Sequence, residues 1–307
     1  MKRVIMFSGQ GSQYVGMMAG LYDKYDSAKS TIEKANEILE FDLKSICFDG
    51  PIDILKETRY TQPAIFLHSA VLFDLLKDKL EFSATAGHSV GEYAALYAAG
   101  VIEFEDALKL VSKRGNLMFS AGEVLPGTMF AVINLADDKL EALCNELNEI
   151  GKPNVVVPAN YNSPGQIVIS GSKDFLRENS IKFKEAGARM VTELVVSGAF
   201  HSPLMEPAKK MLAETINSIT FKDAKVPVYS NVYAKPLTKA DEIKSALIDQ
   251  LTSPVKWAQS LSRLKEDGFN SFFELGPGNV LQGLAKRTLQ EIEILGCDKP
   301  EDVEKYF

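Results

Sequence analysis

The hydrophobic positions of the chain alternate between short apolar runs and longer helical periods. The runs RVIMFS (residues 3–8) and FSATAG (residues 82–87) are short and are followed closely by glycine, as is typical of buried strands. Helices are predicted at GEYAALYAAG, which Gly100 ends, and from about residue 103 to about residue 121. Strands that alternate with helices favour a mostly parallel sheet, which binds ligands at the carboxyl ends of its strands.

One further helix is predicted between the first two strands. The stretch TQPAIFLHSAVLFDLLK (residues 61–77) is apolar nearly all round, which indicates a buried helix. We expect Thr61 to be its N-cap and Pro63 to lie in its first turn, where a missing backbone N–H is tolerated.

The pattern changes between residues 126 and 196. There it predicts the order β-α-β-β-α-β, with two strands of VVVPANYNSPGQIVIS flanking an Asn/Ser/Pro/Gly turn. This order is that of a ferredoxin-like unit. We therefore predict a small subdomain at residues 126–196, inserted into a larger α/β domain formed by residues 1–125 and 197–307.

Helices and strands alternate again after residue 197. SPLMEPAKKMLAETINSI predicts a helix with Ser202 as N-cap and Pro203 at its first position. VPVYSNV, SFFELGPG and EIEILGC predict strands, and helices are expected between them. The second half of the chain therefore adds further strands to the predicted parallel sheet.

Composition and charge exclude several classes of protein. The 307 residues are 46% hydrophobic and 24% charged, which is ordinary for a globular protein with a large core. A net charge of −7 argues against nucleic acid as a partner. No apolar run approaches the roughly 20 residues of a membrane span, and the N-terminal apolar run is too short for a secretory signal. The three cysteines are scattered along the chain, at Cys47, Cys144 and Cys297, and lack the spacing of metal ligands. They indicate a reducing, cytoplasmic location and predict no metal site.

Ser89 is the candidate nucleophile. Gly87-His88-Ser89-Val90-Gly91 fits the pattern G-x-S-x-G, with a predicted strand before it and a predicted helix after it. In that context the serine lies on a tight, strained turn, and the free N–H groups of the helix start favour a developing oxyanion. The alternative is that the glycines only make a strand-to-helix turn.

A serine nucleophile needs a base, and the chain contains three histidines. His68 lies within the apolar helix, as a core histidine would, and His88 is adjacent to the serine on a turn that points neighbouring side chains apart. His201 follows a predicted strand, where active-site residues of α/β folds collect, so we favour it as the base. No Asp or Glu stands at a comparable position to orient the imidazole, which leaves open a dyad held by a backbone carbonyl.

Arg114 lies on the apolar side of a predicted helix, seven residues after Ala107. Burying an unpaired charge is costly, and a guanidinium binds a carboxylate through two parallel hydrogen bonds. The partner could be internal, for example Glu92, or it could be a carboxylate on the acyl group of a substrate.

These residues lie in motifs that resemble those of a known family. The chain resembles malonyl-CoA:acyl carrier protein transacylases of fatty acid synthesis, and it is similar to the acyltransferase domains of polyketide synthases. The resemblance runs from end to end, and its motifs are GQGSQ, GHSVGE, KRGNLM, NYNSPGQ, GAFHSPLM, QLTSPVKW and ELGPGNVLQGLAKR. It implies a hydrolase-like α/β core with a ferredoxin-like subdomain.

The resemblance also implies residue roles. Ser89 would be the nucleophile, His201 the general base and acid, and Arg114 the clamp for the malonyl carboxylate. Further positions would supply the oxyanion hole (the backbone N–H groups of Gln10 and Val90), the carbonyl that orients the histidine (Gln250) and selectivity for malonyl (Phe200). Ser8 departs from the family, in which many members have proline before GQGSQ.

The implied reaction is ping-pong transfer of malonyl from malonyl-CoA to the phosphopantetheine thiol of acyl carrier protein, by a monomer without a bound cofactor. The acidic carrier protein would dock on a basic patch, either at Lys286 and Arg287 or on the subdomain at Lys182, Lys184 and Arg189. Two alternative functions are a serine hydrolase and a non-catalytic binding module. A serine esterase or thioesterase would not need Arg114, and a non-catalytic binding module would be expected to lack the serine or the histidine.

Overall fold

Two separate β-sheets organise the protein in a computed structural model, which describes residues 2–306. The ten strands are β1 (Arg3–Phe7), β2 (Ala84–Gly87), β3 (Gly127–Ile133), β4 (Val156–Ser163), β5 (Gln166–Ser172), β6 (Met190–Glu193), β7 (Val228–Tyr229), β8 (Pro236–Leu237), β9 (Ser271–Leu275) and β10 (Glu293–Cys297).

Fourteen α-helices surround the sheets in the described part of the chain. They are α1 (Ala19–Lys24), α2 (Asp26–Leu39), α3 (Leu43–Asp49), α4 (Ile52–Leu55), α5 (Thr58–Leu76), α6 (Gly91–Ala98), α7 (Phe104–Val124), α8 (Asp137–Ile150), α9 (Lys173–Glu185), α10 (Glu206–Ser218), α11 (Ala240–Asp249), α12 (Trp257–Glu266), α13 (Val280–Thr288) and α14 (Pro300–Val303). Single 3₁₀ turns occupy Pro203–Met205 and Glu304–Tyr306.

The larger sheet has the order β10-β9-β1-β2-β7-β8, and all its neighbouring strands are parallel except β7 and β8. Strand β1 lies in the middle, and its last four residues are fully buried because helices cover both faces. Phe7 is level with Gly87 on one side and with Leu275 on the other. The loops that follow β1, β2 and β9 therefore leave the sheet side by side at one edge.

The smaller sheet has the order β4-β5-β3-β6 and is antiparallel throughout. Its strands and the helices α8 and α9 follow one another as β-α-β-β-α-β, and the strand order is that of a ferredoxin-like fold. Apolar side chains of both helices pack with the sheet in a core of its own. The predicted fold class, an α/β protein with a mostly parallel sheet and a separate antiparallel unit, is confirmed. The domain boundaries at residues 126 and 196 stay a prediction.

Helix α5 begins earlier than predicted. Its first residue is Thr58 and Glu57 precedes it, so the predicted N-cap, Thr61, lies within the helix and Pro63 is its sixth residue. The side chains of Thr58 and Thr61 are fully buried, and the Thr58 hydroxyl contacts Ser197 at 2.8 Å. Such contacts with distant residues stabilise a helical turn that lies before the start predicted from local sequence.

Two further elements differ from the sequence prediction in detail. Ser202 caps as predicted, with its hydroxyl accepting from the N–H of Leu204, but the chain first makes a single 3₁₀ turn and α10 starts only at Glu206. Strand β7 is only two residues long, although a longer strand was expected at VPVYSNV. No helix among residues 2–306 is long and apolar enough to cross a membrane.

Candidate active site

Ser89 sits on the tight turn between β2 and α6. Its backbone has a φ of 52°, the left-handed conformation that non-glycine residues rarely adopt. The flanking glycines are required by close packing. A Cβ at Gly87 would lie 2.0 Å from the Gly91 carbonyl, and a Cβ at Gly91 would lie 2.2 Å from the Phe7 oxygen. The G-x-S-x-G pattern therefore places the serine at the edge where the loops after β1 and β9 also emerge.

His201 is in hydrogen-bonding contact with Ser89. Its Nε2 lies 2.9 Å from Ser89 Oγ, and its Nδ1 lies 2.9 Å from the backbone oxygen of Gln250. Because a carbonyl can only accept, Nδ1 carries the proton and Nε2 is free to accept from the serine hydroxyl. Burial and, secondly, the positive charge of Arg114 lower the pKa of His201 to about 3, so the imidazole is neutral at physiological pH.

The other two histidines have different partners. His68 is fully buried in α5, and its Nε2 lies 2.9 Å from the Asp298 carbonyl oxygen. The Nε2 of His88 lies 2.8 Å from Asn162 Oδ1, and its ring packs edge-on against Trp257. Both imidazoles are thus engaged within the protein framework, while His201 faces the serine.

The loop after β1 brings Gln10 to the same site. Gly9 packs closely on the turn around Ser89, called the elbow below, so that a Cβ at Gly9 would lie 2.6 Å from the His88 oxygen. Gln10 lines the cavity that contains Ser89, and its side-chain Nε2 donates to Thr58 Oγ1 at 3.1 Å. Val90 follows Ser89 directly and immediately precedes α6, so its backbone N–H lies at the start of that helix. The structure therefore places both proposed oxyanion-hole residues beside Ser89.

Arg114 reaches the site from α7 and is fully buried. Its Nη2 donates to Ser89 Oγ at 3.1 Å and to Gln250 Oε1 at 2.9 Å, while Nε and Nη1 have no hydrogen bond of ordinary geometry among the described residues. The buried side chain of Tyr93 lies against the guanidinium, with its ring centre 5.5 Å from Cζ. Glu92, considered above as an internal partner, accepts instead from Gln250 Nε2 at 2.6 Å and from the N–H of Asn231 at 3.3 Å. The guanidinium that contacts Ser89 thus has two buried donors without such a hydrogen bond among residues 2–306.

The cavity at Ser89 has a volume of about 170 Å³. Phe200, Met118 and Val196 contribute apolar walls, and His201 and Gln10 contribute polar groups. Two other clefts have larger volumes, of about 470 and 490 Å³, but neither Ser89 nor His201 lines them. The cavity at Ser89 is therefore the one where the candidate nucleophile and the candidate base meet. Among residues 2–306 no group of three or more His, Cys, Asp or Glu could hold a metal ion.

The two predicted docking patches lie on different elements. Lys286 and Arg287 are in the last turn of α13, and Arg287 Nη1 donates to Gln166 Oε1 at 2.8 Å. The same helix and Gln166 line a second cavity, of about 150 Å³, that shares Gln10 and His88 with the first one. The alternative patch lies on α9 and just before β6, at Lys182, Lys184 and Arg189.

One residue of the site was missed by the sequence analysis. Asn231 follows β7, and its side chain accepts from the Ser89 N–H and donates to the Gly87 oxygen, both at 2.7 Å. The Asn231 side chain therefore stabilises the turn through one hydrogen bond at Ser89 and one at Gly87. The sequence analysis had placed Asn231 inside the predicted strand VPVYSNV, and only the shorter observed strand leaves it in the loop that follows.

Comparison with known proteins places the chain in a family. Residues 4–305 match the acyl transferase domain family. The malonyl CoA-acyl carrier protein transacylase of Staphylococcus aureus (strain MRSA252) is 42% identical over 302 residues, which cover 98% of this chain and 97% of the relative. The protein of that name from Bacillus subtilis (strain 168) is 40% identical over 304 residues, covering 99% and 95%.

Solved structures agree with the sequence comparison. An acyl carrier protein S-malonyltransferase from Vibrio cholerae has a TM-score of 0.94 at 39% identity and covers 100% of both chains. A malonyl-transacylase in complex with its type II PKS acyl-carrier protein also has a TM-score of 0.94, at 35% identity, covering 100% of this chain and 99% of that one. The chain therefore belongs to the acyl transferase family, among the malonyl CoA-acyl carrier protein transacylases.

Proposed function

We propose that this protein transfers the malonyl group of malonyl-CoA to the phosphopantetheine thiol of acyl carrier protein through a malonyl ester on Ser89, and so supplies fatty acid synthesis. The observation that carries this proposal is Arg114, a fully buried guanidinium with two unpaired donors, in hydrogen-bonding contact with the nucleophile. A hydrolase for neutral esters has no use for such a cation. A carboxylate at the far end of the acyl group would satisfy it.

In the first half-reaction Ser89 attacks the thioester carbonyl. Neutral His201 accepts the hydroxyl proton on Nε2, and the Gln250 carbonyl stabilises the resulting imidazolium through Nδ1–H. The backbone N–H groups of Gln10 and Val90 would hold the oxyanion. The bond between carbon and sulfur then breaks, and coenzyme A leaves with the proton from His201.

In the second half-reaction the thiol of the carrier protein attacks the malonyl-serine ester. His201 accepts the thiol proton and returns it to Ser89 Oγ as the ester bond breaks, which regenerates the free enzyme. Hydrolysis is the competing reaction. Arg114 bound to the malonyl carboxylate would hold the ester in one orientation, and Phe200 in the cavity wall would crowd a branched acyl group.

Acyl carrier protein is the proposed protein partner, and Lys286 with Arg287 is the docking patch that we favour. Both side chains are exposed, and their helix lines a cavity that shares residues with the reaction site. A phosphopantetheine arm could thus reach Ser89 from this side. The three buried, unpaired cysteines agree with a reducing cytoplasm as the location.

The proposal is tested by intact-protein mass spectrometry after brief incubation with malonyl-CoA alone. We expect the mass to rise by one malonyl group in the natural protein and to stay unchanged in Ser89→Ala. Added carrier protein should remove the adduct. Steady release of coenzyme A without an adduct, and without any need for a thiol acceptor, would identify a hydrolase and contradict the proposal.

The docking patch is tested with the loaded enzyme. Charge reversal at both Lys286 and Arg287 should raise the KM for carrier protein about tenfold, while loading by malonyl-CoA continues. The matched comparison is charge reversal at the subdomain patch, which consists of Lys182, Lys184 and Arg189. If only the second set raises the KM, the subdomain is the docking surface.

A further inference from the structure

The side chain of Gln250 lies between the buried carboxylate Glu92 and the buried guanidinium Arg114. Its Nε2 donates to Glu92 Oε2 at 2.6 Å, and its Oε1 accepts from Arg114 Nη2 at 2.9 Å. The second N–H of the amide points to the backbone oxygen of Ser89, at 3.1 Å. Gln250 is itself fully buried, so the carboxyl group and the guanidinium are connected through one amide.

The guanidinium at one end fixes the orientation of this amide. A guanidinium only donates hydrogen bonds, so the amide oxygen must face Arg114 and the amide nitrogen then donates to Glu92. The amide therefore separates the two charged groups and uses a single guanidinium nitrogen. Within residues 2–306, Nε and Nη1 of Arg114 have no hydrogen bond of ordinary geometry.

A direct pair between these two residues would have a different consequence. Arg and Glu in contact form two parallel hydrogen bonds, which would occupy the donors that a malonyl carboxylate needs. The buried guanidinium would then already be neutralised before substrate arrives. An arginine meant to bind a substrate carboxylate must be kept apart from the protein's own carboxylates.

We infer that the side chain of Gln250 is a spacer that holds Glu92 away from Arg114 and so keeps two guanidinium donors available for the substrate carboxylate. The inference rests on the proposed malonyl transfer. This role is separate from that of the Gln250 backbone carbonyl, which faces His201 and is present whatever the side chain. Gln250 acts through Arg114 and is thus a positioning residue.

Shortening this side chain should let the two charges meet. In Gln250→Ala, Glu92 and Arg114 have no amide between them, and each gains by pairing directly because both are buried. We expect kcat/KM for Ser89 loading by malonyl-CoA to fall about 30-fold, mainly through a higher KM. Acylation by a neutral reagent, p-nitrophenyl acetate, needs no Arg114 contact and should fall much less.

The deciding experiment is a second substitution in that background. Glu92→Gln removes the carboxylate that would capture Arg114, so Gln250→Ala/Glu92→Gln should regain about tenfold in malonyl loading over Gln250→Ala. Glu274→Gln is the matched control, because Glu274 is equally buried but its hydrogen bonds go to Ser8 and α13. It should restore nothing. A Gln250→Ser background gives the same test if Gln250→Ala does not fold.

The outcomes separate the two proposals. Absence of a malonyl adduct on the natural protein overturns the proposed function. If the natural protein loads malonyl but Glu92→Gln fails to restore loading, or restores it no better than Glu274→Gln, the spacer role is wrong and the proposed function stands. Equal losses toward malonyl-CoA and p-nitrophenyl acetate in Gln250→Ala would also overturn the spacer role.

Discussion

Two buried glutamates lie near the same edge of the large sheet, and their surroundings differ. Glu274 at the end of β9 is 1% exposed and accepts three hydrogen bonds, from the Ser8 hydroxyl at 3.0 Å and from the N–H groups of Leu281 and Gln282 at 3.1 Å. Every donor belongs to a loop or to the first turn of α13, where unpaired N–H groups favour a carboxylate. This glutamate joins the loop after β1 to that helix.

Glu92 is 4% exposed and accepts two hydrogen bonds, from Gln250 and Asn231. These hydrogen bonds continue through Gln250 to Arg114, two of whose donors have no hydrogen bond of ordinary geometry within residues 2–306. Buried polar groups are nearly always satisfied in folded proteins. The two glutamates therefore differ in what their hydrogen bonds connect: Glu274 joins elements of the fold, whereas Glu92 connects, through Gln250, to the guanidinium that we propose binds the substrate carboxylate.

The largest expected effect is that of removing these donors. In Arg114→Ala the rate of Ser89 loading by malonyl-CoA should fall about 10²- to 10³-fold, because the substrate carboxylate would then be desolvated without a partner. Acylation by p-nitrophenyl acetate should fall less than tenfold. Arg114→Lys is the control: it keeps the charge but lacks the planar fork, so we expect an intermediate rate. Equal losses with both reagents would mean that Arg114 serves only the fold.

A smaller effect concerns the titration of Glu92. Burial is the main cause that raises its pKa from 4.5 to about 7. Between these values the folded chain holds a proton that the unfolded chain has released, so stability falls as pH rises. From pH 5 to pH 7 the free energy of unfolding should fall by about 2 kcal/mol relative to Glu92→Gln, which urea unfolding at both pH values would measure. A constant difference would show that Glu92 titrates alike in both states.

The smallest effect belongs to the Glu274 cluster. Ser8→Ala removes one of three donors to this carboxylate, and we expect a loss of about 1 kcal/mol in the free energy of unfolding, measured with urea. Malonyl loading should change less than twofold. In a Glu274→Gln background the same substitution should matter less, because the acceptor is then uncharged. A large loss of loading would assign Ser8 and Glu274 to the reaction site and remove the contrast with Glu92.

Most of the fold followed from local patterns. Apolar runs ended by glycine marked the strands β1 and β2, and the change of period after residue 126 marked the antiparallel unit. Boundaries set by distant contacts were harder to predict. Helix α5 extends back to Thr58, whose hydroxyl contacts Ser197 on another part of the chain. A capping signal at Thr61 is local and carries no information about that contact.

The candidate site divides in the same way. The sequence alone predicted the strand, tight turn and helix around Ser89 from the pattern G-x-S-x-G, limited the candidate base to three histidines, and placed Arg114 on the apolar side of a helix. Only the tertiary structure decided which groups face one another, including Asn231 across the elbow and the Gln250 amide between Glu92 and Arg114. Hydrogen bonds between side chains depend on distances between elements far apart in sequence, and no local pattern encodes those distances.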